Sequence, residues 1–357
     1  MTPAPPRLAT PPYDALLVVS FGGPERPSDV MPFLANVLRG KHVPRERMLE
    51  VAHHYERFGG ASPINQQNRD LIAALRPALA RAGIELPVYW GNRNWHPLLP
   101  DTLRQMAADG RRNALAYITS AYSSYSGCRQ YLEDIASAQD AVGPDAPHVS
   151  TLRKFFNHPD FIATNADHVR AALAELDGAT WEHCALAFTA HSIPQSMARQ
   201  SAYEAQLRDT ARHVAAAVGA PRWDLVYQSR SGLPSQPWLG PDILDHLRDL
   251  KSAGTSQVVI APIGFLSDHV EVLYDLDIEA RQRATELGLR LARARTAGTH
   301  PRLVRLIAEL VAERMSGSTE RRAVGTLGAW HDICPAESCL SGRPATPAVA
   351  PGSDARA

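Results

Sequence analysis

Residues 14–19, Asp-Ala-Leu-Leu-Val-Val, form a short apolar run that ends at the turn sequence Ser20-Phe21-Gly22-Gly23-Pro24. A polar stretch compatible with a helix follows the turn. Branched apolar residues bounded by glycine and proline are typical of a buried β-strand that leads into a helix. The same form recurs at residues 86–90, 114–119, 184–189 and 257–262.

Helical segments separate these strands, at residues 68–82, 166–176 and 203–218 among others. Strands that alternate with helices predict βαβ units and parallel sheets covered by helices on both faces. The fold class is therefore α/β, and two successive sets of units predict two doubly wound domains with a cleft between them. The expected domains are residues 10–120 together with a C-terminal helix at 300–320, and residues 121–299.

The amino-acid composition argues against two classes of protein, nucleic-acid-binding proteins and integral membrane proteins. Lys+Arg and Asp+Glu number 37 each in 357 residues, so no global basic field attracts nucleic acid. No apolar run approaches the ~20 residues that span a bilayer, and no secretory signal pattern is visible, so we expect a cytoplasmic protein without an integral membrane segment.

The only lysines are Lys41, Lys154 and Lys251. Residues 321–340 are expected to form an extension, and the Pro- and Ala-rich residues 341–357 a disordered tail.

Two groups of chemically useful side chains follow predicted strands, where open α/β sheets bind ligands. His191 comes directly after one strand and either caps or packs in the core, or points into the cleft. Glu271, Asp275 and Glu279 follow another strand at intervals of four, and a π-type turn would align them better than an α turn. They form either a solvated acidic face or a path for a divalent cation that ends at His191.

Two further stretches suit a flat ligand with acidic edges. Residues 58–65 form a glycine-rich turn that can offer backbone amides and the hydroxyl of Ser62 to an anionic group. Tyr122, Tyr125 and Tyr131 follow another predicted strand and add aromatic faces. Such residues either wall an aromatic ligand or simply pack in the core.

Six short motifs, taken together and in order, resemble the ferrochelatase family. They are Ser20-Phe21-Gly22-Gly23-Pro24, Phe58-Gly59-Gly60-Ala61-Ser62-Pro63-Ile64, Gly91-Asn92-Arg93-Asn94-Trp95, Thr189-Ala190-His191-Ser192-Ile193-Pro194, Gln228-Ser229-Arg230-Ser231-Gly232 and Ser267-Asp268-His269-Val270-Glu271. The resemblance implies two similar Rossmann-like domains with a porphyrin cleft between them, and insertion of ferrous iron into the porphyrin. The chain looks most like the actinobacterial members, which implies coproporphyrin III as substrate, with protoporphyrin IX as the alternative.

The resemblance also implies roles for the residues singled out above. His191 and Glu271 would face each other across the porphyrin centre and bind the incoming ferrous ion, and Asp275 and Glu279 would form the path that leads to them. Metal insertion needs a base near the pyrrole nitrogens and a ligand that replaces water on the ion. The sequence leaves open which of His191 and Glu271 is the base.

Other positions match family members that contact the porphyrin. Ser62 and Tyr131 match contacts to the macrocycle or its propionates, and Arg39 matches a basic residue that flanks the cleft. Residues 31–48 mix apolar and basic side chains and are expected to form a basic rim that favours the four propionates of coproporphyrin III. Phe21 stands where some relatives have a tyrosine that coordinates iron, so the resemblance implies no tyrosine ligand there.

The cysteines are too few for a disulfide framework: Cys128, Cys184, Cys334 and Cys339. Several ferrochelatases hold a two-iron two-sulfur cluster on one mid-chain and three C-terminal cysteines. Cys128 matches the mid-chain ligand, and Cys334 and Cys339 have the spacing of the last two. The remaining cysteine is missing, since Gly325 lies near its expected place, and the cluster would need His331 or another ligand. Cys184 opens a predicted strand and is expected in the core; the others are alternatively free thiols.

Other functions share parts of this pattern. A nickel or cobalt chelatase of tetrapyrroles would share the two-domain fold and the cleft histidine. A non-catalytic haem carrier or an iron–sulfur sensor could use the same scaffold, although it would need only an axial ligand and a cleft. The expected partners are coproporphyrin III, ferrous iron and a downstream enzyme of the haem pathway, with no nucleic acid.

Overall fold

Two parallel sheets form the centre of the computed structural model, which describes residues 13–40, 43–232, 235–335 and 337–341. The first sheet has the strand order β2-β1-β3-β4 and the second the order β6-β5-β7-β8. The strands are β1 (Ala15–Ser20), β2 (Val88–Asn92), β3 (Asn113–Ile118), β4 (His148–Thr151), β5 (Cys184–His191), β6 (Trp223–Gln228), β7 (Gln257–Ala261) and β8 (Arg290–Arg293). The two orders are equivalent, and the predicted α/β fold of two similar halves is confirmed.

Helices cover both faces of each sheet. In the described residues they are α1 (Val30–Val37), α2 (Arg45–Glu56), α3 (Ile64–Arg81), α4 (Leu99–Ala108), α5 (Gln130–Val142), α6 (Pro159–Ala174), α7 (Gln195–Ala198), α8 (Tyr203–Val218), α9 (Ile243–Ser252), α10 (Val270–Val272), α11 (Arg281–Glu286) and α12 (Pro301–Ser316). A 3-10 helix spans Pro27–Asp29, and π-helices span Tyr125–Arg129 and Leu273–Ala280. None of the described helices has the length and apolarity needed to cross a bilayer.

The central strands show why the apolar runs fold as they do. Every residue of β1 is buried, and β1 pairs in parallel with β2 on one side and β3 on the other. A strand enclosed by neighbours and by helices on both faces has no solvent side, so its sequence is continuously apolar rather than alternating. β5 has the same central position in the second sheet, between β6 and β7.

The two halves share one core. β4 lies beyond residue 120 and pairs with β3, so the first sheet runs past the expected boundary to Thr151. α12 packs against α3 beside the first sheet and against α6 beside the second. The largest apolar cluster continues from Leu16 and Val18 of β1, through α12, to Phe188 of β5. Of the expected tail, residues 342–357 lie outside the described residues.

A separate small apolar cluster holds a helical hairpin of the first half against the second half. We call α1, α2 and the described residues between them the lip. Its apolar side chains, among them Phe33 and Tyr55, pack together with Val270 of α10 in the second half. The lip therefore closes on the segment that carries Glu271.

Candidate active site

His191 is the last residue of β5 and points toward Glu271. Its Nδ1 lies 2.5 Å from the carbonyl oxygen of Ser192. Because a carbonyl only accepts hydrogen bonds, this contact assigns the proton of a neutral imidazole to Nδ1 and leaves Nε2 free to accept a proton or bind a metal. Nε2 lies 3.6 Å from Glu271 Oε2. A Cβ atom at Gly264 would come within 2.6 Å of Ala190 Cα, so glycine lets the loop after β7 lie beside this strand end.

Both halves of the molecule position Glu271. The Asp268 amide donates to Gln67 Oε1 of α3 at 2.9 Å, and this hydrogen bond ties the segment before α10 to the first half. Glu271 itself is half exposed, and its Oε2 lies 4.0 Å from Nδ1 of the neighbouring His269. Burial lowers the pKa of His269, while Glu271 partly opposes that shift. His269 stands two residues before Glu271 in the quoted motif, but its residue type alone gave no sign of this contact.

The π-helix Leu273–Ala280 carries the acidic row away from the cleft, so the turn type favoured by the spacing is present. Asp275 accepts hydrogen bonds from the Ser229 hydroxyl and, at 3.2 Å, from Gln228 Nε2. Burial raises the pKa of Asp275 to about 7, and the nearby charges of Glu271 and Glu279 act in the same direction. Asp275 therefore lies close enough to both other carboxylates of the row for their charges to disfavour its own.

The row has a fourth member that the sequence did not reveal. Burial raises the pKa of Glu279, and the second cause is the charge of Asp242. Asp242 caps α9, where its Oδ1 accepts from the Leu244 amide at 2.8 Å. It stands far from Glu279 in sequence, and only the packing of α9 beside the π-helix brings the two together. Two neighbouring carboxylates repel each other, and a cation bound between them would lower that repulsion.

The lip adds an aromatic contact at the same place. His54 of α2 stacks on Tyr274 of the π-helix with ring centroids 3.6 Å apart. The pKa of His54 is lowered by burial and by Arg47, while Glu271 raises it. A histidine of the first half therefore lies against the π-helix of the second half and near Glu271.

The residues expected to contact a porphyrin occupy three different environments. Ser62 is 7% exposed beside the turn after β1, where its amide donates to the Pro24 carbonyl at 2.7 Å. Tyr131 is 5% exposed in the core of the first half, with the Arg93 guanidinium 4.5 Å from its ring centroid. Arg39 is exposed at the end of α1 and donates to Asn36 Oδ1 at 2.7 Å.

Three cysteines that are far apart in sequence converge at one small cavity. Cys128 at the end of the π-helix Tyr125–Arg129, and Cys334 and Cys339 of the C-terminal extension, line it together. Interactions with the thiols of Cys334 and Cys339 hold the pKa of Cys128 far below its usual range, although burial opposes them. Cys184 lies apart in β5, where burial raises its pKa to about 11.

A buried lysine completes the surroundings of the three thiols. Lys154 Nζ donates to the carbonyls of Ser120 and Gly127 at 3.0 and 2.8 Å. Burial lowers the pKa of Lys154, and the charges of the three cysteines raise it. A buried ammonium is stabilised by an adjacent anionic group, so this donor set fits an anionic metal–thiolate centre. Lys154 is one of the three lysines in the chain, a rarity that marks it in the sequence.

Another group of ligand-type residues lies away from the cleft. His158, Asp160 and Glu309 bring ligand atoms within 4.8 Å of one another. Arg305 donates twice to Asp160, at 3.0 and 2.8 Å, and Arg322 twice to Glu309, at 2.9 and 2.6 Å. Because arginines already neutralise both carboxylates, this group is an ion-pair network rather than a metal site.

An imidazole and a carboxylate meet near the carboxyl ends of the parallel strands, and further carboxylates follow along the π-helix. This arrangement is suited to the delivery of a cation to a ligand in the cleft. This fold and site define a metal chelatase. The model of the ferrochelatase family matches residues 13–315, and the chain belongs to that family. It is an enzyme, a lyase that inserts ferrous iron into a porphyrin in haem biosynthesis, and the non-catalytic alternative is wrong.

Individual relatives agree with this assignment. The chain is 58% identical to the ferrochelatase of Rhodopirellula baltica over 97% of its own length and 99% of the relative. It is 54% identical to the coproporphyrin III ferrochelatase of Nocardia farcinica, covering 87% of this chain and 90% of the relative. Among solved structures, SirB from Bacillus subtilis with Fe³⁺ matches with a TM-score of 0.49 and 10% identity, covering 85% of this chain and 96% of that one.

Proposed function

We propose that the enzyme inserts ferrous iron into coproporphyrin III. Relatives that carry this substrate in their names are 54% and 51% identical over most of the chain. The structural observation that supports the proposal is the basic surface of the lip. Arg39 just after α1 and Arg45 at the start of α2 are exposed on this hairpin, which packs against Val270 of α10. Lys41, between these two arginines, lies outside the described residues, and Arg47 pairs with Glu50 at 2.6 Å.

The two candidate porphyrins differ in the number of negatively charged propionates at their edges. Coproporphyrin III carries four propionates and protoporphyrin IX two, so a basic lip can make two more charge-assisted contacts with the former. Each such contact contributes about 1.5 to 3 kcal/mol when partly desolvated, so two would give a preference of at least tens-fold. The alternative, protoporphyrin IX, would require an apolar lip instead.

The test compares specificity constants for the two porphyrins with ferrous iron, measured anaerobically in the same detergent. We expect the wild type to prefer coproporphyrin III by about tens-fold and Arg39→Gln combined with Arg45→Gln to lose most of that preference. Arg104→Gln is the matched control, because Arg104 is also exposed but lies on α4 and pairs with Asp101 at 2.6 Å. Equal or better specificity constants for protoporphyrin IX would overturn this substrate and leave the ferrochelatase activity intact.

We further propose that His191 and Glu271 carry the insertion step. Two pyrrole N–H protons must leave as the ion sheds water, so one group must accept a proton while another replaces water on the ion. The Nδ1 contact with the Ser192 carbonyl leaves a lone pair on Nε2 of the neutral ring, and Glu271 Oε2 lies 3.6 Å away with half of its side chain exposed. The pair thus offers a nitrogen and an oxygen to one ion at one point.

The acidic row is proposed as the supply route for that ion. Asp275 and Asp242 are partly buried, Glu279 is more exposed, and each has a pKa raised chiefly by desolvation. A divalent ion beside these carboxylates favours their charged forms and offsets that cost. The route leads along the π-helix to Glu271.

Ser62 and Tyr131 remain proposed porphyrin contacts. Each is less than a tenth exposed in this structure, so contact with a porphyrin requires a local opening at the turn after β1 or above α5. A macrocycle that fills this space would replace the packing lost on opening. We also propose that the enzyme works in the cytoplasm and passes its product to a downstream haem-pathway enzyme.

The three converging cysteines are proposed to hold a two-iron two-sulfur cluster. The donor set fits because three thiols meet at one cavity beside the buried ammonium of Lys154. When bound, the cluster would supply a covalent link between the C-terminal extension and the loop after β3, together with a redox-active centre. Iron and acid-labile sulfide of the anaerobically purified chain test this proposal.

A further inference from the structure

The C-terminal extension carries a histidine whose ring nitrogen has no partner. His331 Nε2 is buried and makes no hydrogen bond among the described residues. A buried polar atom without a partner costs about 1 to 3 kcal/mol, so such an atom calls for an explanation. His331 stands three residues before Cys334, and its ring lies against that of Trp330 with centroids 4.8 Å apart.

The segment around His331 is held by ion pairs and leads into Cys334, which lines the cysteine cavity. Asp332 pairs with Arg321 and lies 3.5 Å from Arg314 Nη1, so this segment is tied to the end of α12 and to the residues that follow that helix. His331 is one of the charges that act on the Cys128 thiol. The imidazole of His331 is therefore near enough to Cys128 to act on its thiol, and the chain continues from it into Cys334 within three residues.

Other candidates for a fourth donor are weaker. Cys184 lies at the start of β5 and its thiol faces its own strand, donating to the Ala185 carbonyl at 3.6 Å. Ser338 and Arg129 line the cavity, but a hydroxyl is a poor ligand for iron–sulfur centres and a guanidinium is none. An imidazole nitrogen is an established ligand of iron in such centres.

The extension also shows backbone strain at a proposed ligand. Cys339 has φ +58°, one of two non-glycine residues with positive φ in the described ranges. This conformation costs about 1 to 3 kcal/mol and persists where the surroundings enforce it. The Cys339 amide donates to the Gln200 carbonyl at 2.9 Å, which holds the strained turn with its thiol against Cys128. The second such residue, Ser229, is the one that holds Asp275.

We propose that His331, through Nε2, is the fourth protein ligand of the cluster, which is then held by three thiolates and one imidazole. This inference rests on the cluster proposed above for Cys128, Cys334 and Cys339. A neutral imidazole in place of a fourth thiolate removes one negative charge, so the single ammonium of Lys154 offsets a larger share of what remains. The reduction potential should therefore be higher than that of an all-cysteine version.

A single zinc ion would use the same donor types but requires a tighter arrangement. Ligands on one zinc at 2.3 Å from sulfur lie about 4 Å from one another. In the described part of the chain, three ligand atoms within 4.8 Å of one another occur at His158, Asp160 and Glu309, and the three sulfurs do not form such a group. The wider spacing favours a cluster of two irons over a mononuclear site.

The test uses the full chain purified without oxygen and labelled with ¹⁵N-histidine. After reduction, pulsed electron paramagnetic resonance should show a strong nitrogen coupling of the size that a directly bonded nitrogen gives. His331→Cys should keep iron and sulfide, lose that coupling and shift the reduction potential to a more negative value. His331→Ala should lower cluster content by about ten-fold or more. His183→Ala is the control, because that side chain is 70% exposed and should change none of these values.

The outcomes separate the two proposals. Iron and sulfide in the wild type without nitrogen coupling would reject His331 and leave the cluster in place. A wild type that holds neither iron nor sulfide after reconstitution, or that holds stoichiometric zinc, would overturn the cluster itself. Loss of cluster in His331→Cys with a folded chain, shown by an unchanged circular dichroism spectrum, would also reject direct ligation, since cysteine can replace the nitrogen donor.

Discussion

His158 should make the stability of the enzyme depend on pH in a calculable way. Its side chain is 1% exposed and lies between two fixed partners. Nδ1 accepts from the Asp160 amide at 3.2 Å and caps α6, while Nε2 lies 3.3 Å from the Glu309 carboxylate. These contacts are satisfied by the neutral ring with its proton on Nε2. A second proton would go to Nδ1 and break the cap.

The size of the effect follows from the pKa of this ring. Burial lowers the pKa of His158 from 6.5 to about 4, and the charges of Arg322 and Arg153 add to the shift. The unfolded chain therefore binds a proton at a higher pH than the folded chain does. Stability from this group is complete above about pH 6.5 and is lost as the pH falls toward 4, by about 3 kcal/mol in all and about 2 kcal/mol at pH 5.

Urea denaturation followed by circular dichroism at pH 8 and pH 5 measures this loss. His158→Asn keeps an oxygen that can cap α6 but does not titrate. We expect the free energy of unfolding to fall between the two pH values by about 2 kcal/mol more in the wild type than in this variant. His183→Asn, at an exposed position, should behave as the wild type. Equal losses in the wild type and His158→Asn would refute the reasoning.

The remaining predictions concern the active site. His191→Ala should lower turnover by about 10²-fold or more while porphyrin binding, followed by the Soret band, survives; turnover above about a tenth of the wild-type value in the folded variant would contradict its role as base or ligand. Glu271→Gln should behave similarly, and unchanged turnover would reduce Glu271 to a surface acid. Asp275→Asn combined with Glu279→Gln should raise the KM for ferrous iron more than that for porphyrin, because the ion follows the carboxylates and the macrocycle does not. An unchanged KM for ferrous iron in steady-state assays would contradict the proposed supply route along the acidic row.

The α/β fold could be predicted from the sequence because each buried strand is visible as a run of apolar residues. β1 is buried throughout and β5 over most of its length, so their residues are mostly apolar and the sequence shows each of them as one apolar run. His191 could be placed because it ends β5, and Glu271 because it lies in the segment that follows β7. These positions depend on local order along the chain, which a sequence displays directly.

Contacts between segments that are distant in sequence could not be predicted from the order of residues. Asp242 meets Glu279 because α9 packs beside the π-helix Leu273–Ala280. Lys154 meets the cysteines because its ammonium donates to the carbonyl of Gly127, the residue before Cys128. The first-sheet strand at His148–Thr151 is short and mixes polar with apolar residues, so the expected boundary at residue 120 cut the sheet before its last strand. Each case turns on packing geometry rather than residue pattern.

The shared core described above decides how a large, flat substrate reaches the metal residues. Because α12 binds both halves into one apolar cluster, a hinge motion that separated them would expose core surface and approach the free energy of global unfolding. The lip has its own small cluster, which meets the second half at Val270, next to Glu271. Moving α1 and α2 would disturb this small cluster and leave the shared core intact. We therefore expect the association rate of the porphyrin to depend on the mobility of the lip rather than on any separation of the two sheets.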